Sequence, residues 1–271
     1  MAGWIGIFDS GVGGLSVWHE VARALPAQPL LYLADQAHCP YGGRSLSELR
    51  DLARAAVGWL VGQGAELVIV ACNTASAAAL TDLRARFMIP IVGMEPAVKP
   101  AAARTRSGRV GVLATPATLQ GDSYARLLAR YAQGIEVIAQ PCPGWVEWVE
   151  AGMPDAAQTQ ALVARYVGPL RAAGVDELVL GCTHYPFLRP WIERVAGPGV
   201  EVIDPAPAVA RRARDLWLKG GREPGDSSDT TYRFVTTGDA ARFAAQLRQL
   251  LGWGGRTAAL DIANYPKLSF G

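Results

Sequence analysis

Cys72 and Cys182 sit in nearly matching surroundings. The first closes the run Glu66-Leu67-Val68-Ile69-Val70-Ala71 and is followed by Asn73-Thr74. The second closes Glu177-Leu178-Val179-Leu180-Gly181 and is followed by Thr183-His184. Each apolar run has the length and the Val, Ile and Leu content of a buried strand. A thiol at the C-terminal end of a parallel strand stands where α/β sheets place their ligands. At a helix N-terminus the backbone amides and the dipole favour its thiolate, a base or nucleophile near neutral pH. The residues after each cysteine can hold a carboxylate, and His184 is close enough in sequence to relay a proton to Cys182. A single buried cysteine is more often a small core residue. Two matched ones, one in each half, point to thiols facing each other across a cleft.

Two further segments could contribute. Asp9-Ser10-Gly11-Val12-Gly13-Gly14 is a glycine-rich turn after an apolar run, and such a turn opening a helix offers backbone N–H groups to an anion. The spacing is not G-x-G-x-x-G and no Walker lysine follows, so a nucleotide is not indicated. Asp9 would repel phosphate; it suits a substrate ammonium or the orientation of a base, or in a plain turn it serves as a cap. Cys39-Pro40-Tyr41-Gly42-Gly43-Arg44-Ser45 reads as a turn whose amides could hold a carboxylate.

The elements that must position these groups alternate. Ile5–Phe8, Leu30–Leu33, Leu67–Ala71 and Ile89–Val92 read as strands, with helical spacing over Leu46–Val61 and Ala75–Phe87. A second set follows at Val110–Leu113, Ile135–Ala139, Leu178–Gly181 and Val200–Ile203. This is the βαβα pattern of parallel sheets. Ile5-Gly6-Ile7-Phe8-Asp9-Ser10-Gly11 echoes Val110-Gly111-Val112-Leu113-Ala114-Thr115-Pro116, in the same order relative to the cysteines. An internal duplication is expected: an α/β protein of two similar, pseudo-symmetric domains with mainly parallel sheets and a shared cleft. Pro96–Ser107 reads as a crossover into the second domain and Asp204-Pro205-Ala206-Pro207 as the return. The tail, with a helix over Ala208–Lys219, a polar loop over Gly220–Asp229, a strand over Tyr232–Thr236 and a helix over Ala240–Leu250, is too short for a third domain. It is expected to complete the first sheet. The domains are then residues 1–96 with 207–271, and 97–206.

Composition narrows the class. The chain has 271 residues, is 50% hydrophobic and 18% charged, and has a net charge of +2, which describes an ordinary globular protein. No Lys/Arg block or basic-aromatic stripe indicates nucleic acid. Four cysteines in a chain this long make no disulfide framework, and no C-x-x-C spacing suggests zinc. No signal peptide or membrane-spanning run is read, so the expected compartment is the cytoplasm, where thiols stay reduced.

These motifs resemble the glutamate racemases of the cofactor-independent aspartate/glutamate racemase superfamily. The carriers are Gly6–Gly14, Pro40-Tyr41-Gly42, Ala71-Cys72-Asn73-Thr74-Ala75 and Gly181-Cys182-Thr183-His184-Tyr185-Pro186, with Thr115 and Thr118 in a T-x-x-T turn and Cys142-Pro143 leading to Val149-Glu150-Ala151-Gly152. The resemblance runs to about Pro205. It implies that Cys72 and Cys182 exchange the Cα proton of glutamate, Cys72 acting on the D and Cys182 on the L enantiomer. It implies that Asp9 assists Cys72, and that His184 with Glu150 assists Cys182. It implies substrate binding by Asp9, Ser10, Tyr41, Gly42, Asn73, Thr74, Thr115, Thr118, Thr183 and His184. It also implies no metal and no cofactor, and D-glutamate supplied for peptidoglycan. None of Lys99, Lys219 and Lys267 lies in a site motif, which leaves no pyridoxal-binding lysine. A homodimer is expected. Two departures stand out: Asp35-Gln36-Ala37-His38 replaces the family's D-T-x-R and makes Cys39 a third thiol near the site, and Gly121 stands where serine is common. Racemisation of another small amino acid or a hydantoin on the same fold, and a non-catalytic binder of small anions, are the alternatives.

Overall fold

The structure is a computed structural model that describes residues 3–153, 155–221 and 231–252. Its first four strands are β1 (Trp4–Asp9), β2 (Leu30–Ala34), β3 (Ala65–Val70) and β4 (Ile91–Gly93). The next four are β5 (Arg109–Ala114), β6 (Glu136–Pro141), β7 (Glu177–Gly181) and β8 (Glu201–Ile203), and β9 (Tyr232–Thr236) comes from the tail. All pair in parallel. The first sheet has the order β4-β3-β1-β2-β9 and the second the order β8-β7-β5-β6. Each strand of the second sheet thus takes the place of the strand four earlier in the first. That correspondence is the duplication expected from the sequence echoes. Strand β9 is the one addition, pairing with β2 from Leu30↔Tyr232 to Ala34↔Thr236.

Helices cover both faces of both sheets, as parallel strands require. In the first half these are α1 (Leu15–Ala24), α2 (Leu46–Gly62) and α3 (Asn73–Arg86). In the second they are α4 (Val98–Arg104), α5 (Pro116–Gln120), α6 (Asp122–Tyr131), α7 (Trp145–Glu150), α8 (Ala156–Ala172) and α9 (Arg189–Ala196). Helices α10 (Ala206–Lys219) and α11 (Ala240–Leu251) belong to the tail. One core packs α2 and α3 on the first sheet through Leu49, Leu52, Val57, Leu83 and Val68. A second packs α4 and α6 on the second sheet through Val98, Leu127, Val110 and Val179. The third runs across the remaining faces of both sheets and takes in α1, α8, α9, α10 and α11.

Several boundaries differ from the sequence expectation for identifiable reasons. The crossover Pro96–Ser107 contains the helix α4, because Val98 and Ala101 reach the core together. Strand β4 begins after Pro90, which has no N–H for the ladder; its carbonyl accepts from the Val68 amide instead (3.1 Å). Helix α10 begins at Ala206, since Pro207 is tolerated in a first turn. Of the polar loop, the part beyond Gly221 lies outside the described residues, as do residues 253–271. No helix among the described residues is long and apolar enough to cross a membrane.

Candidate active site

The C-terminal ends of the two sheets meet, and the chemistry-bearing residues stand at those ends. Cys72 follows β3 and is itself the cap of α3: its sulfur accepts from the Ala75 amide at 3.4 Å. Cys182 follows β7 in the equivalent place and leads into a short 3₁₀ turn, Tyr185–Leu188. Both are nearly buried, at 5% and 7% exposed. They are close enough that charge on Cys182 pushes the Cys72 pKa up.

Cys182 has an assembled set of partners. Its sulfur lies 3.8 Å from His184 Nδ1, and His184 Nε2 lies 2.7 Å from Glu150 Oε1. Glu150, at the end of α7, also accepts from the Val12 amide (2.7 Å) and from Gln36 Nε2 (2.9 Å). The dyad is therefore anchored to the glycine loop of the other half. Burial disfavours the charge on His184, but its hydrogen bonds to Cys182, Cys39 and Glu150 outweigh burial and hold the imidazole pKa well above its usual value. Burial likewise opposes charge on Glu150, and the His184 contact overrides it, keeping the carboxyl below its usual value.

Cys72 has different surroundings. Its thiol donates to Ser10 Oγ at 3.8 Å. Burial, reinforced by the charge of Asp9, pushes the thiol up to about 12. Against the expectation that the helix end would favour its thiolate, the loss of solvation on burial is the larger effect. Asp9 is fully buried and does not hydrogen-bond Cys72. It accepts from the Gly11 amide and from Thr183 Oγ1, each at 3.0 Å. Burial raises Asp9 to about 6, although the charge of His184 pulls it down.

The expected substrate-binding residues line the seam between the sheets. Thr74 Oγ1 lies 2.9 Å from Thr115 Oγ1 and 3.2 Å from Thr118 Oγ1, and these two are 2.9 Å apart, closing a triangle of hydroxyls. Thr115 also caps α5, its hydroxyl accepting from the Thr118 amide. A Cβ at Gly42 would stand 3.1 Å from Thr115 Cβ, so the turn packs closely on that threonine. Asn73 is 2% exposed, and neither of its side-chain polar atoms has a partner. A buried amide left so is costly unless a ligand completes it. Tyr41 is turned away: its hydroxyl donates to Asp35 Oδ2 at 2.6 Å.

Three residues of the site were given no role from the sequence. Tyr32 donates to the Gly11 carbonyl at 2.7 Å and fixes the glycine loop from below. Asp35 holds Tyr41, His38 and Thr237. Gln36 joins Glu150 to Gln246. One signal was available: Asp35 directly follows an apolar strand, as Asp9 does. One cavity of about 300 Å³ is lined in part by Cys39 and Glu150, and one of about 100 Å³ in part by Asn73 and Thr118.

The Asp/Glu/Hydantoin racemase family model matches residues 5–213, which include every residue of the site just described up to His184. The chain belongs to this family. Relatives within it are close. A glutamate racemase of Roseiflexus sp. (strain RS-1) is 55% identical over 91% of this chain and 91% of its own. One of Deinococcus radiodurans is 46% identical over 97% of this chain and 92% of its own. Among solved structures, a glutamate racemase isoform of Bacillus anthracis superimposes with a TM-score of 0.85 at 32% identity, covering 96% of this chain and 97% of its own. The glutamate racemase of Francisella tularensis, solved in complex with D-glutamate, gives 0.82 at 29% identity, covering 96% of each chain. The two-sheet architecture is the racemase fold.

Proposed function

We propose that the chain interconverts L- and D-glutamate without a cofactor, with Cys72 and Cys182 as bases on opposite faces of Cα. The observation that carries this reading is the equivalence of β3 and β7: strands related by the duplication each end in a buried thiol at one seam. One base would have to cross the plane of the carbanion, whereas two fixed bases need only exchange protonation states. Holding both against Cα replaces two bimolecular encounters with one bound geometry.

In the L-to-D direction Cys182 takes the Cα proton and Cys72 delivers one to the other face. Cys72, held neutral by burial, suits the donor's role. An imidazolium at His184 stabilises negative charge on the neighbouring sulfur, and Glu150 keeps that imidazole charged and oriented. In the reverse direction Cys72 must first lose its proton. Asp9 is the candidate acceptor of that proton: its carboxylate charge, together with burial, holds the thiol neutral, and taking up the proton removes that charge. The hydroxyls of Ser10, Thr74, Thr115, Thr118 and Thr183, the Asn73 amide and the backbone at Tyr41 and Gly42 hold the carboxylates, so that negative charge developing on the α-carboxylate meets fixed donors in a closed site. Glutamate is chosen over other substrates of the family because relatives similar in sequence and in structure carry that name. The product would serve cell-wall synthesis in the cytoplasm, and a homodimer is the expected assembly.

Purified protein dialysed against EDTA should form D-glutamate from L-glutamate, read by chiral chromatography, with no pyridoxal phosphate added. Cys72→Ser and Cys182→Ser should each lower the rate by at least about 100-fold. A requirement for pyridoxal phosphate, or full activity of either variant, would overturn the reading. Faster turnover of aspartate than of glutamate would move the substrate within the family.

A further inference from the structure

We propose that Cys39, Glu150 and His184 form a binding site for a thiophilic divalent cation of the zinc class, and that its occupation switches the active site off. One donor atom from each of the three lies within 4.8 Å of the others. A thiolate, an imidazole and a carboxylate are the donors zinc selects, and three protein ligands with a fourth position left to water make a common open site. The charges match: a Cys39 thiolate and the Glu150 carboxylate together neutralise a dication. The supporting layer is in place, since Gln36 Nε2 holds Glu150 Oε2 at 2.9 Å and the Val12 amide holds Oε1, which is how carboxylate ligands are oriented around metals. The cavity of about 300 Å³ lined by Cys39, Pro40, Glu150 and Arg242 gives access and leaves room for a bound water.

The donors come from three distant segments, so no C-x-x-C-like spacing could reveal them. The racemisation proposed above gives the Cys39 thiol no part in proton transfer. On binding, the cation forms bonds to the Cys39 sulfur, the Glu150 carboxylate and an imidazole nitrogen. The Cys39 thiol proton and the excess imidazolium proton pass to solvent; no electron is transferred. His184 and Glu150, now 2.7 Å apart, must part slightly, because two donors about 2.0–2.2 Å from a tetrahedral ion stand roughly 3.3 Å apart. The imidazole, bound through the nitrogen that faced Glu150, keeps its Nδ1 proton, but the ring is tied to the metal, no longer paired with Glu150 and drawn away from Cys182. Inhibition is reversible by a chelator.

Zinc could instead bridge Cys72 and Cys182, so the test begins by removing that site. The double variant Cys72→Ser/Cys182→Ser should bind one zinc per chain in equilibrium dialysis. With cobalt it should show a thiolate-to-metal band in the near ultraviolet. Adding Cys39→Ser should abolish the band and weaken zinc at least tenfold; adding Glu150→Gln, with the thiol retained, should weaken zinc by a similar factor. No binding by the double variant, or equal binding after loss of Cys39, would overturn the site. In the otherwise unaltered protein, Cys39→Ala should raise the zinc concentration for half-inhibition at least tenfold, measured against that variant's own rate. Unchanged sensitivity would assign inhibition to the paired thiols and overturn the switch. The dialysis and optical readouts do not depend on which substrate is racemised, so their outcome is separate from that of the proposed function.

Discussion

Burial moves Asp9 and Cys72 in the same direction, toward their neutral forms, and only Asp9 has a pKa that common buffers cross. Its folded value of about 6 lies above the ordinary 3.8. Between those values the folded state binds more protons than the unfolded one, so the contribution of Asp9 to stability is fully present below pH 3.8 and is lost as pH rises through about 6. The shift is worth about 3 kcal/mol. Asp9→Asn should therefore gain stability relative to the wild type as pH is raised from 4 to 7, seen in urea unfolding at several pH values. Parallel pH profiles would show that burial of this carboxyl is not what sets its pKa. Cys142 is a contrasting thiol. It is buried at 2%, its sulfur faces the Gln140 carbonyl at 3.4 Å, and burial raises its pKa strongly. Cys142→Ala should keep racemase activity and cost about 1 kcal/mol of stability, read from the same unfolding curves. A complete loss of activity in a folded variant would give Cys142 a part in the chemistry.

Among the elements, the glycine loop after β1 is the piece most tightly fitted to its surroundings. A Cβ at Gly13 would stand 2.3 Å from His184 Nδ1 and 2.5 Å from Thr183 Oγ1, both in the other half of the molecule. Gly13→Ala must therefore displace the His184 imidazole, which stands beside the Cys182 sulfur. Activity should fall by on the order of 100-fold while the far-UV circular dichroism stays unchanged; wild-type turnover would mean that the loop yields at no cost. This loop was legible in the sequence as a strand followed by Asp and closely spaced glycines. Its partners were less so, because the contacts of Gly13 with His184 and of Val12 with Glu150 join residues far apart in the chain. The start of α3 was hidden for another reason. Cysteine is not among the preferred N-cap residues, so the helix reads as starting at Ala75, although Cys72 itself caps it. Likewise nothing local shows that Asp35 would take the Tyr41 hydroxyl. The strands were legible because parallel sheets demand continuous apolar runs, whereas their order within each sheet was not read from the sequence.

At the scale of the whole molecule, the duplication sets two thiols at the seam of two separate sheets, and that arrangement has a stereochemical readout. In D₂O, product formed early should carry deuterium at Cα while the remaining substrate carries almost none. The thiol that delivers the proton has exchanged with solvent, and the abstracted proton rests on the other. Initial-rate mass spectrometry checks this; unlabelled product, or label entering substrate as fast as product, would point to a single mobile base. Among the described residues the duplication is incomplete in one respect, since β9 has no counterpart in the second sheet. On the ribosome, β1 to β4 emerge first, then all four strands of the second sheet, and β9 only afterwards. Until then the edge of β2, whose five residues are all buried in the finished fold, stands open as a template for pairing with another chain. The second half can close early in synthesis, whereas the first must wait for the tail, and that interval is when a nascent chain is most exposed to misassembly.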